Sequence, residues 1–320
     1  MSEQRGEDMR TGRTIIKRDR AILGIMILGF MIIAFAWCAS ITAYQQDETR
    51  GLRIKKQVEQ SRPASATAET AGQPRTYRST NSAVSSSEMR KTATESGAVL
   101  GVTLWRLRPS EASDNREARL LEQKAEKSAE WTAERIEAGT PLNEGDRMRI
   151  SIESPATGYL YVIDRERYAD GSHGDAYAIF PTTRTRGGNN AVTAGRVIEF
   201  PAQEDNPPYF TLSRSRKEHV GEELVLIVTP QPLAEIPASS TPIKLAPELL
   251  GEWEKQWGGK AEQFELEGGA GRQYTKQEKA AGTNGARMLT QTDPLPQTVL
   301  RVNAKPGSAL LVKVVIGMAK

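Results

Sequence analysis

The sequence predicts a mainly β protein: an antiparallel β-sandwich-like domain with peripheral helices, preceded by a single transmembrane helix and a disordered linker. Three observations lead to this prediction. They are an uncharged apolar run at residues 21–43, a polar stretch at residues 44–97, and a series of short strand-like runs from residue 98 onward. Only 38% of the 320 residues are hydrophobic, and the mean hydropathy is -0.51. Part of the chain is therefore expected to stay unpacked.

Residues 21–43 read AILGIMILGFMIIAFAWCASITA, with no charge, and are long enough to cross a bilayer as a helix. Lys17, Arg18 and Arg20 precede this run, which predicts that residues 1–20 are a cytoplasmic tail and that the chain after the run faces the periplasm. Basic residues that follow the run weaken this orientation without reversing it. The segment is predicted to be a single-pass anchor.

Two other interpretations of the apolar run stay open. A cleaved signal peptide has a shorter apolar core, about 7–15 residues, followed by small residues, and both Cys38–Ser40 and Ile41–Ala43 offer such a cleavage site. Lipidation of Cys38 is the third interpretation, and the bulky Trp37 beside it is unfavourable for that modification. The length of the run favours an uncleaved signal anchor.

Residues 44–97 are predicted to form a disordered spacer. From Val58 to Gly97 the chain consists mainly of Ser, Thr, Ala, Pro and scattered charges, with almost no large apolar side chain. Such a segment cannot bury enough surface to offset the conformational entropy that folding removes. A glycosylated or wall-threading stalk is the alternative interpretation.

Residues 98–233 are predicted to form the β-rich body of the protein. The run AVLGVTLWRLRP, ended by Pro109, is typical of a strand, and Arg147–Glu153 alternates polar and apolar residues. Pro and Gly bound the other runs, and this spacing of short strands favours an antiparallel sandwich. Those other strands are expected at Gly158–Ile163, Asp175–Phe180, Gly195–Phe200, Pro208–Leu212 and Glu223–Thr229.

A long helix is predicted between the first two strands, from Ser113–Asp114 as N-cap to about Glu137, because apolar residues recur there at helical spacing. Residues 234–320 are predicted to be a C-terminal extension with short helices and a closing β-hairpin. Its helix is expected at Ala246–Trp257. Its hairpin is expected to join Gln297–Val302 to Ala309–Met318 beside the Ala98 strand.

Several motifs follow one another in a characteristic order along residues 98–233. After GVTLWRLRP come Leu-x-x-Gly-Asp-Arg-x-Arg-x-Ser-Ile-Glu at Leu142–Glu153, GYLYVIDRE at Gly158–Glu166 and IFPT at Ile179–Thr182. This succession resembles a bacterial family known as domain of unknown function 4384, over less than half of the chain. The resemblance implies a compact β-rich module, often behind a signal or anchor in the envelope, and it supplies no catalytic residues.

Few residues of the sequence are candidates for catalysis, metal binding or disulfide formation. The single cysteine excludes an intrachain disulfide framework and a thiolate zinc cluster. Asp164, Asp170 and Asp175 lie in one loop and are candidate calcium ligands, but their spacing does not match the twelve-residue calcium loop, so a solvated hairpin is favoured. The adjacent Ser172 and His173 do not face each other as a hydrolase pair requires.

His219, in a charged run, is expected at the surface, and Gly268–Gly271 is expected to be an ordinary loop because it lacks the Gly-Lys-Ser/Thr end of a phosphate-binding loop. The sequence therefore predicts no enzyme, and no catalytic, cofactor-binding or metal residues.

Binding is the favoured kind of function. A net charge of +3 is too small to imply a nucleic-acid partner. Basic residues that are candidates for gripping an anionic polymer are Arg184–Arg186, Arg214, Arg216 and Lys217, with a solvated charged face as the favoured alternative. Tyrosines are concentrated around the strands, where they either fill the core edge or anchor contacts. They are Tyr159, Tyr161, Tyr168, Tyr177 and Tyr209.

Together these features predict an inner-membrane bacterial envelope protein with an extracytoplasmic β-rich binding or scaffolding module. Its expected partners are the membrane, through residues 21–43, and an envelope protein or an anionic wall or lipid polymer. The alternatives are an envelope hydrolase with an unrecognised site and a structural surface component.

Overall fold

The computed structural model describes residues 48, 50–64, 76–80, 97–124, 127–282, 287–305 and 307–319. The chain divides into two units, Met1–Thr49 and Arg50–Lys320, and the second unit contains both β-sheets of the protein. The predicted cytoplasmic tail and the predicted membrane helix at residues 21–43 lie outside the described residues. Within the described ranges, no helix is both long enough and apolar enough to cross a membrane.

The described residues form fifteen strands and three α-helices. The strands are β1 (Tyr77–Ser79), β2 (Ala98–Pro109), β3 (Arg119–Lys124), β4 (Lys127–Ile136), β5 (Arg147–Glu153), β6 (Gly158–Tyr168), β7 (Tyr177–Phe180), β8 (Ala191–Val192), β9 (Val197–Phe200), β10 (Phe210–Thr211), β11 (His219–Thr229), β12 (Ile243–Lys244), β13 (Glu262–Leu266), β14 (Thr298–Val302) and β15 (Leu310–Gly317). The helices are α1 (50–61), α2 (Pro247–Trp257) and α3 (Lys276–Gly282).

Two antiparallel sheets pack face to face, which confirms the predicted mainly β, sandwich-like fold with peripheral helices. The first sheet has nine strands in the order β1–β13–β14–β2–β4–β3, with β5 along the other edge of β2 and with β9 and β10 both on β5. The second sheet has the order β12–β7–β6–β11–β15, with β8 on β6. Strand β2 and strand β11 are the long central strands.

One hydrophobic core fills the space between the two sheets. Leu104 and Ile150 from the first sheet meet Val162, Leu226 and Val314 from the second, and each is at most 2% exposed. These residues alternate along their strands with residues that face the other way, as the side-chain period of a strand requires. Burial of this core is the main source of the free energy that stabilises the sandwich.

The outer faces of both sheets are also covered. Helix α2 places Leu250 and Trp253 on the outer face of the second sheet, over Val225. Helix α1 places Ile54 and Val58 on the outer face of the first sheet. The sandwich therefore has apolar contacts on both sides of each sheet, and the long strands of the second sheet each contain a short continuous apolar run.

Two folded elements lie inside the predicted disordered spacer, so that prediction is wrong for residues 50–64 and 76–80. Helix α1 buries Ile54 and Val58, and β1 pairs with β13 and buries Tyr77, whose hydroxyl donates to the carbonyl of Pro296 at 2.8 Å. The few apolar residues of these short elements pack against the first sheet. The composition of the whole stretch is dominated by polar residues and therefore does not reveal the two elements. Residues 65–75 and 81–96 lie outside the described residues.

The predicted helix from Ser113 to Glu137 is wrong. After a short 3₁₀ turn, the chain forms the hairpin of β3 and β4, and β4 pairs with β2 over Leu104–Pro109. Half of the predicted helical stripe consists of alanines, which bury little surface on a helix. Ala118 in the 3₁₀ turn and Leu120 on β3 instead pack with Trp105 in a small core, so tertiary contacts outweighed local helix propensity.

The predicted closing hairpin is also wrong, although both of its strands exist. Strand β14 pairs with β2 beside Ala98, as expected, but β15 pairs with β11 in the opposite sheet. Each strand finds a long, apolar central partner, and each buries its inward face in the same inter-sheet core. Residues from the predicted C-terminal extension are thus integral to both sheets.

Candidate functional site

An open groove of about 220 Å³ lies where the edges of the two sheets come together. The second sheet contributes the end of β7 and the loop before β12, and the first sheet contributes the end of β9 and β10. Strands β7 and β9 each end at a proline, which has no backbone N–H to continue a ladder. We call this feature the edge groove.

Apolar side chains line the floor of the edge groove. Phe200 is 4% exposed and packs its ring 4.7 Å from that of Phe210, which is only half-buried. The other apolar and aromatic residues of the lining are Ile179, Pro181, Pro201, Pro207, Tyr209 and Pro242. Ligand pockets are typically apolar with a few polar groups that fix orientation, and this groove has that composition.

Asp205 joins the loops that form the two walls of the edge groove. Its Oδ2 accepts hydrogen bonds from the buried hydroxyl of Thr185 at 2.7 Å and from the backbone N–H of Ala202 at 2.9 Å. The walls are therefore held together without a ligand. Polar groups at the rim come from Thr182, Arg184, Ser240 and Thr241.

The basic residues singled out in the sequence do not share one partner. Arg184 is exposed at the rim of the edge groove and donates from Nη2 to the carbonyl of Asn206 at 3.0 Å. Arg186 lies outside the lining, where burial and then Arg196 lower its pKa. Only the Arg184 part of the predicted basic stretch lies at the groove.

Two other predicted basic residues, Arg214 and Arg216, have structural contacts of their own. Arg214 donates to the carbonyls of His219 and Ala319, and Arg216 lies 3.2 Å from the ring centre of Tyr168. Both contacts tie the turn before β11 to its surroundings. Lys217 is exposed on that turn.

A cluster of carboxyl groups around a buried histidine lies at one end of β6 and β11. Asp164 and Glu166 on β6 and Glu222 on β11 continue the inward-facing rows of the inter-sheet core. His219 is 0% exposed, and its Nε2 lies 3.2 Å from Glu222 and 3.0 Å from the carbonyl of Gly221. The expectation that His219 lies at the surface is therefore wrong, because the charged run around it turns outward while β11 begins.

Burial shifts the titration of this cluster. It raises the pKa of Asp164 to about 7, and the charges of Glu222 and Glu166 add to the rise. Burial, followed by the charge of Glu166, raises the pKa of Glu222 to about 7. Glu166 behaves differently: burial alone would raise its pKa, but hydrogen bonds from Tyr168 and Ser215 bring the pKa below its usual value. At neutral pH the cluster is thus partly protonated.

The candidate calcium ligands Asp164, Asp170 and Asp175 do not surround a common site. Asp170 caps its own turn by accepting from the N–H of Ser172 at 2.8 Å and from its hydroxyl at 2.6 Å, while Asp175 pairs with Lys244 at 2.5 Å. Asp164 lies in the carboxyl cluster around the buried His219. In the part of the chain that the structure describes, no group of three or more His, Cys, Asp or Glu residues is arranged to hold a metal ion.

His173 and Asp164 lie on opposite faces of the second sheet. His173 Nε2 is 3.6 Å from Glu223, which lies on the same outward face of β11 as Val225 and Ile227. Asp164 faces the inter-sheet core. Burial, then the charges of Arg165 and its neighbours, lowers the pKa of His173. The geometry brings neither Ser172 nor Asp164 to His173, so it assembles no hydrolase from these residues.

The predicted tyrosine set divides between core and surface. Tyr161 and Tyr209 are buried, and the Tyr161 hydroxyl accepts a hydrogen bond from the N–H of Leu233 at 2.7 Å. Tyr177 is 38% exposed, and Tyr159 and Tyr168 are half-buried. Gly268–Gly271 forms a turn, as expected.

The edge groove itself was missed by sequence reasoning. Its lining comes from three separate stretches, residues 179–185, 200–210 and 240–242. The only local signal was a proline directly after each of two apolar strands, and that pattern is common at strand ends. A second cavity beneath α3, beside the buried Arg62 and Glu199, measures about 20 Å³, space for about one water molecule.

Comparison with family models, curated proteins and solved structures finds no match to this chain. The resemblance to domain of unknown function 4384 therefore stays a prediction.

Proposed function

We propose that this chain is a membrane-anchored envelope protein and that its β-sandwich is an extracytoplasmic binding module that uses the edge groove. The observation that carries the proposal is the groove: an apolar floor, a polar rim and walls braced by Asp205, at the junction of both sheets. Such preformed concave sites are the usual sites of ligand binding.

The anchoring part of the proposal rests on the uncharged run at residues 21–43 and on the basic residues before it. An anchored module holds its binding site at a high local concentration near the membrane. Binding also fits the chemistry of the described residues better than catalysis does, since Ser172, His173 and Asp164 each have separate surroundings.

The proposal is tested by cysteine labelling in cells. Thr241 at the groove rim and Glu248 on α2 are both exposed, and each is replaced by cysteine in a Cys38→Ser background. A membrane-impermeant maleimide is added after the outer barrier is opened. We expect both cysteines to react, and Thr241→Cys to react several-fold more slowly in cells than in purified protein, while Glu248→Cys reacts equally in both.

Two results contradict the proposal. If neither cysteine reacts until the cells are lysed, the sandwich faces the cytoplasm. If both cysteines react in cells as fast as in purified protein, the edge groove is unoccupied in the envelope. Alkaline carbonate extraction of the same cells reports separately whether the chain is anchored.

A further inference from the structure

The rim of the edge groove offers one uncompensated cation. Arg184 is exposed, and in the described part of the chain it forms no ion pair; its hydrogen bond goes to the neutral carbonyl of Asn206. The rim also contains one carboxylate, Asp205, whose Oδ2 is occupied by Thr185 and Ala202. An incoming carboxylate therefore has a directed donor in Arg184, whose guanidinium fork suits carboxylate oxygens.

Hydroxyl groups accompany Arg184 at the rim. Thr182, Ser240 and Thr241 all line the groove, and the last two are exposed. A hydroxyl both donates and accepts hydrogen bonds, so three of them around one groove fit a ligand that is itself rich in hydroxyl groups. The Thr182 hydroxyl already accepts a hydrogen bond from the backbone N–H of Arg184 at 3.3 Å. A purely apolar ligand that covered the rim would leave the hydroxyls of Ser240 and Thr241 without partners.

The size and floor of the groove restrict the ligand further. At about 220 Å³ the groove lies below the range of about 300–1,000 Å³ that holds a drug-sized molecule or cofactor. One six-membered ring fits this space. The half-buried ring of Phe210 and the flat prolines of the floor offer apolar surfaces for one face of such a ring.

We propose that the edge groove binds one carboxylate-bearing sugar ring of an anionic polysaccharide. The C–H face of the ring lies on Phe210 and the prolines, the carboxylate pairs with Arg184, and ring hydroxyls bond with Thr182, Ser240 and Thr241. This inference rests on the proposed function and names the ligand class of the same site.

The test measures binding of trigalacturonate to the full-length protein in detergent micelles by calorimetry, with neutral maltotriose as the comparison sugar. We expect saturable binding of trigalacturonate and at least tenfold weaker binding of maltotriose. Arg184→Gln is expected to weaken trigalacturonate binding about tenfold or more, because a charge-assisted hydrogen bond is lost. Arg186→Gln is the matched control from the same loop and is expected to stay within twofold of the parent.

A variant that fills the groove provides a second, independent test of binding. Thr241→Trp places a bulky ring at an exposed rim position, and we expect it to abolish binding while the melting temperature stays unchanged. The proposal is overturned if Arg184→Gln and Arg186→Gln bind alike, if both sugars bind alike, or if trigalacturonate does not bind. In the last case, continued protection of Thr241→Cys in cells would keep the binding module and reject the sugar, in favour of a protein segment.

Discussion

Arg62 and Glu153 form a buried, bidentate ion pair between the end of α1 and the end of β5. Arg62 Nε donates to Oε1 and Nη2 donates to Oε2, both at 2.7 Å, and the two residues are 3% and 6% exposed. Arg62 also donates to the carbonyls of Asp293 and Pro294 at 3.0 Å. One side chain thus joins α1, the first sheet and the loop before β14.

Replacement of Arg62 should destabilise the protein strongly. Arg62→Met leaves the Glu153 carboxylate buried without its partner, and breaking a buried pair in this way costs about 3–5 kcal/mol. The unfolding free energy from urea denaturation measures the loss. Arg53→Met, at an exposed position of α1, is the control and should change stability by less than about 0.5 kcal/mol. A loss for Arg62→Met as small as that of the control would show that the pair is not buried in solution.

Truncation should show that the folded body begins near residue 50. A chain starting at residue 98 lacks α1 and β1 and exposes Phe264, Val299 and Leu266, which these elements cover. We expect this chain to melt well below a chain that starts at residue 48, as followed by circular dichroism. Equal melting temperatures would contradict the packing of α1 on the first sheet and would restore the spacer prediction for that stretch.

Asp164 and Glu222 should make the protein less stable as the pH rises from about 4 to about 7. In the unfolded chain Asp and Glu ionise near pH 4, whereas Asp164 and Glu222 have folded pKa values of about 7. The folded chain therefore holds more protons between about pH 4 and pH 7, and linkage requires that its unfolding free energy decrease across this window. Burial also raises the pKa of Glu265 to about 7, so Glu265 lowers the unfolding free energy in the same pH window.

Asp164→Asn tests this pH dependence. The variant should lose less stability than the parent between pH 5 and pH 8, by on the order of 2 kcal/mol, since one pKa unit corresponds to about 1.4 kcal/mol. Urea denaturation at both pH values measures it, with the exposed Glu204→Gln as control. Parallel pH profiles of the parent and Asp164→Asn would mean that Asp164 ionises as freely in the folded chain as in the unfolded one. The other charged groups at this site are Glu166, His219 and Arg216.

Replacing Gly158 and Gly251 by alanine should have opposite effects on the stability of the protein. A Cβ at Gly158 would lie 2.3 Å from the carbonyl oxygen of Thr229, so Gly158→Ala forces β6 and β11 apart and should lower the melting temperature. A Cβ at Gly251 on α2 meets no atom within 4 Å, so Gly251→Ala should stabilise the helix by about 0.5–1 kcal/mol. Thermal unfolding compares the two variants, and a harmless Gly158→Ala would contradict the close approach of these strands.

Most strands were predictable from sequence because each carries its own signal. Strand β5 alternates polar and apolar residues, β11 contains the continuous apolar run Leu224–Val228, and β2, β7 and β9 stop at or directly before a proline. The spacing of apolar side chains and the positions of prolines are local properties, so a single sequence is enough to recognise them. The helix at Pro247–Trp257 was predictable for the same reason.

The β3–β4 hairpin and the partners of β14 and β15 were not predictable in this way. Residues 113–137 carry a weak helical stripe, and only the free edge of β2 makes the strand conformation the better solution. The same limit applies to Arg62, whose burial depends on a carboxylate 91 residues away. Local pattern contains no information on which distant edge or charge a segment will meet.

By itself, the sequence determined that this protein has a β-rich body built from short antiparallel strands, because side-chain period and strand-ending prolines are local properties. Only the tertiary structure decided which strands pair, that His219 is buried, and that Arg184 joins Phe210 and Thr241 around one groove. Those outcomes depend on contacts between residues far apart in the chain, and such contacts form only when the two sheets close over their common core.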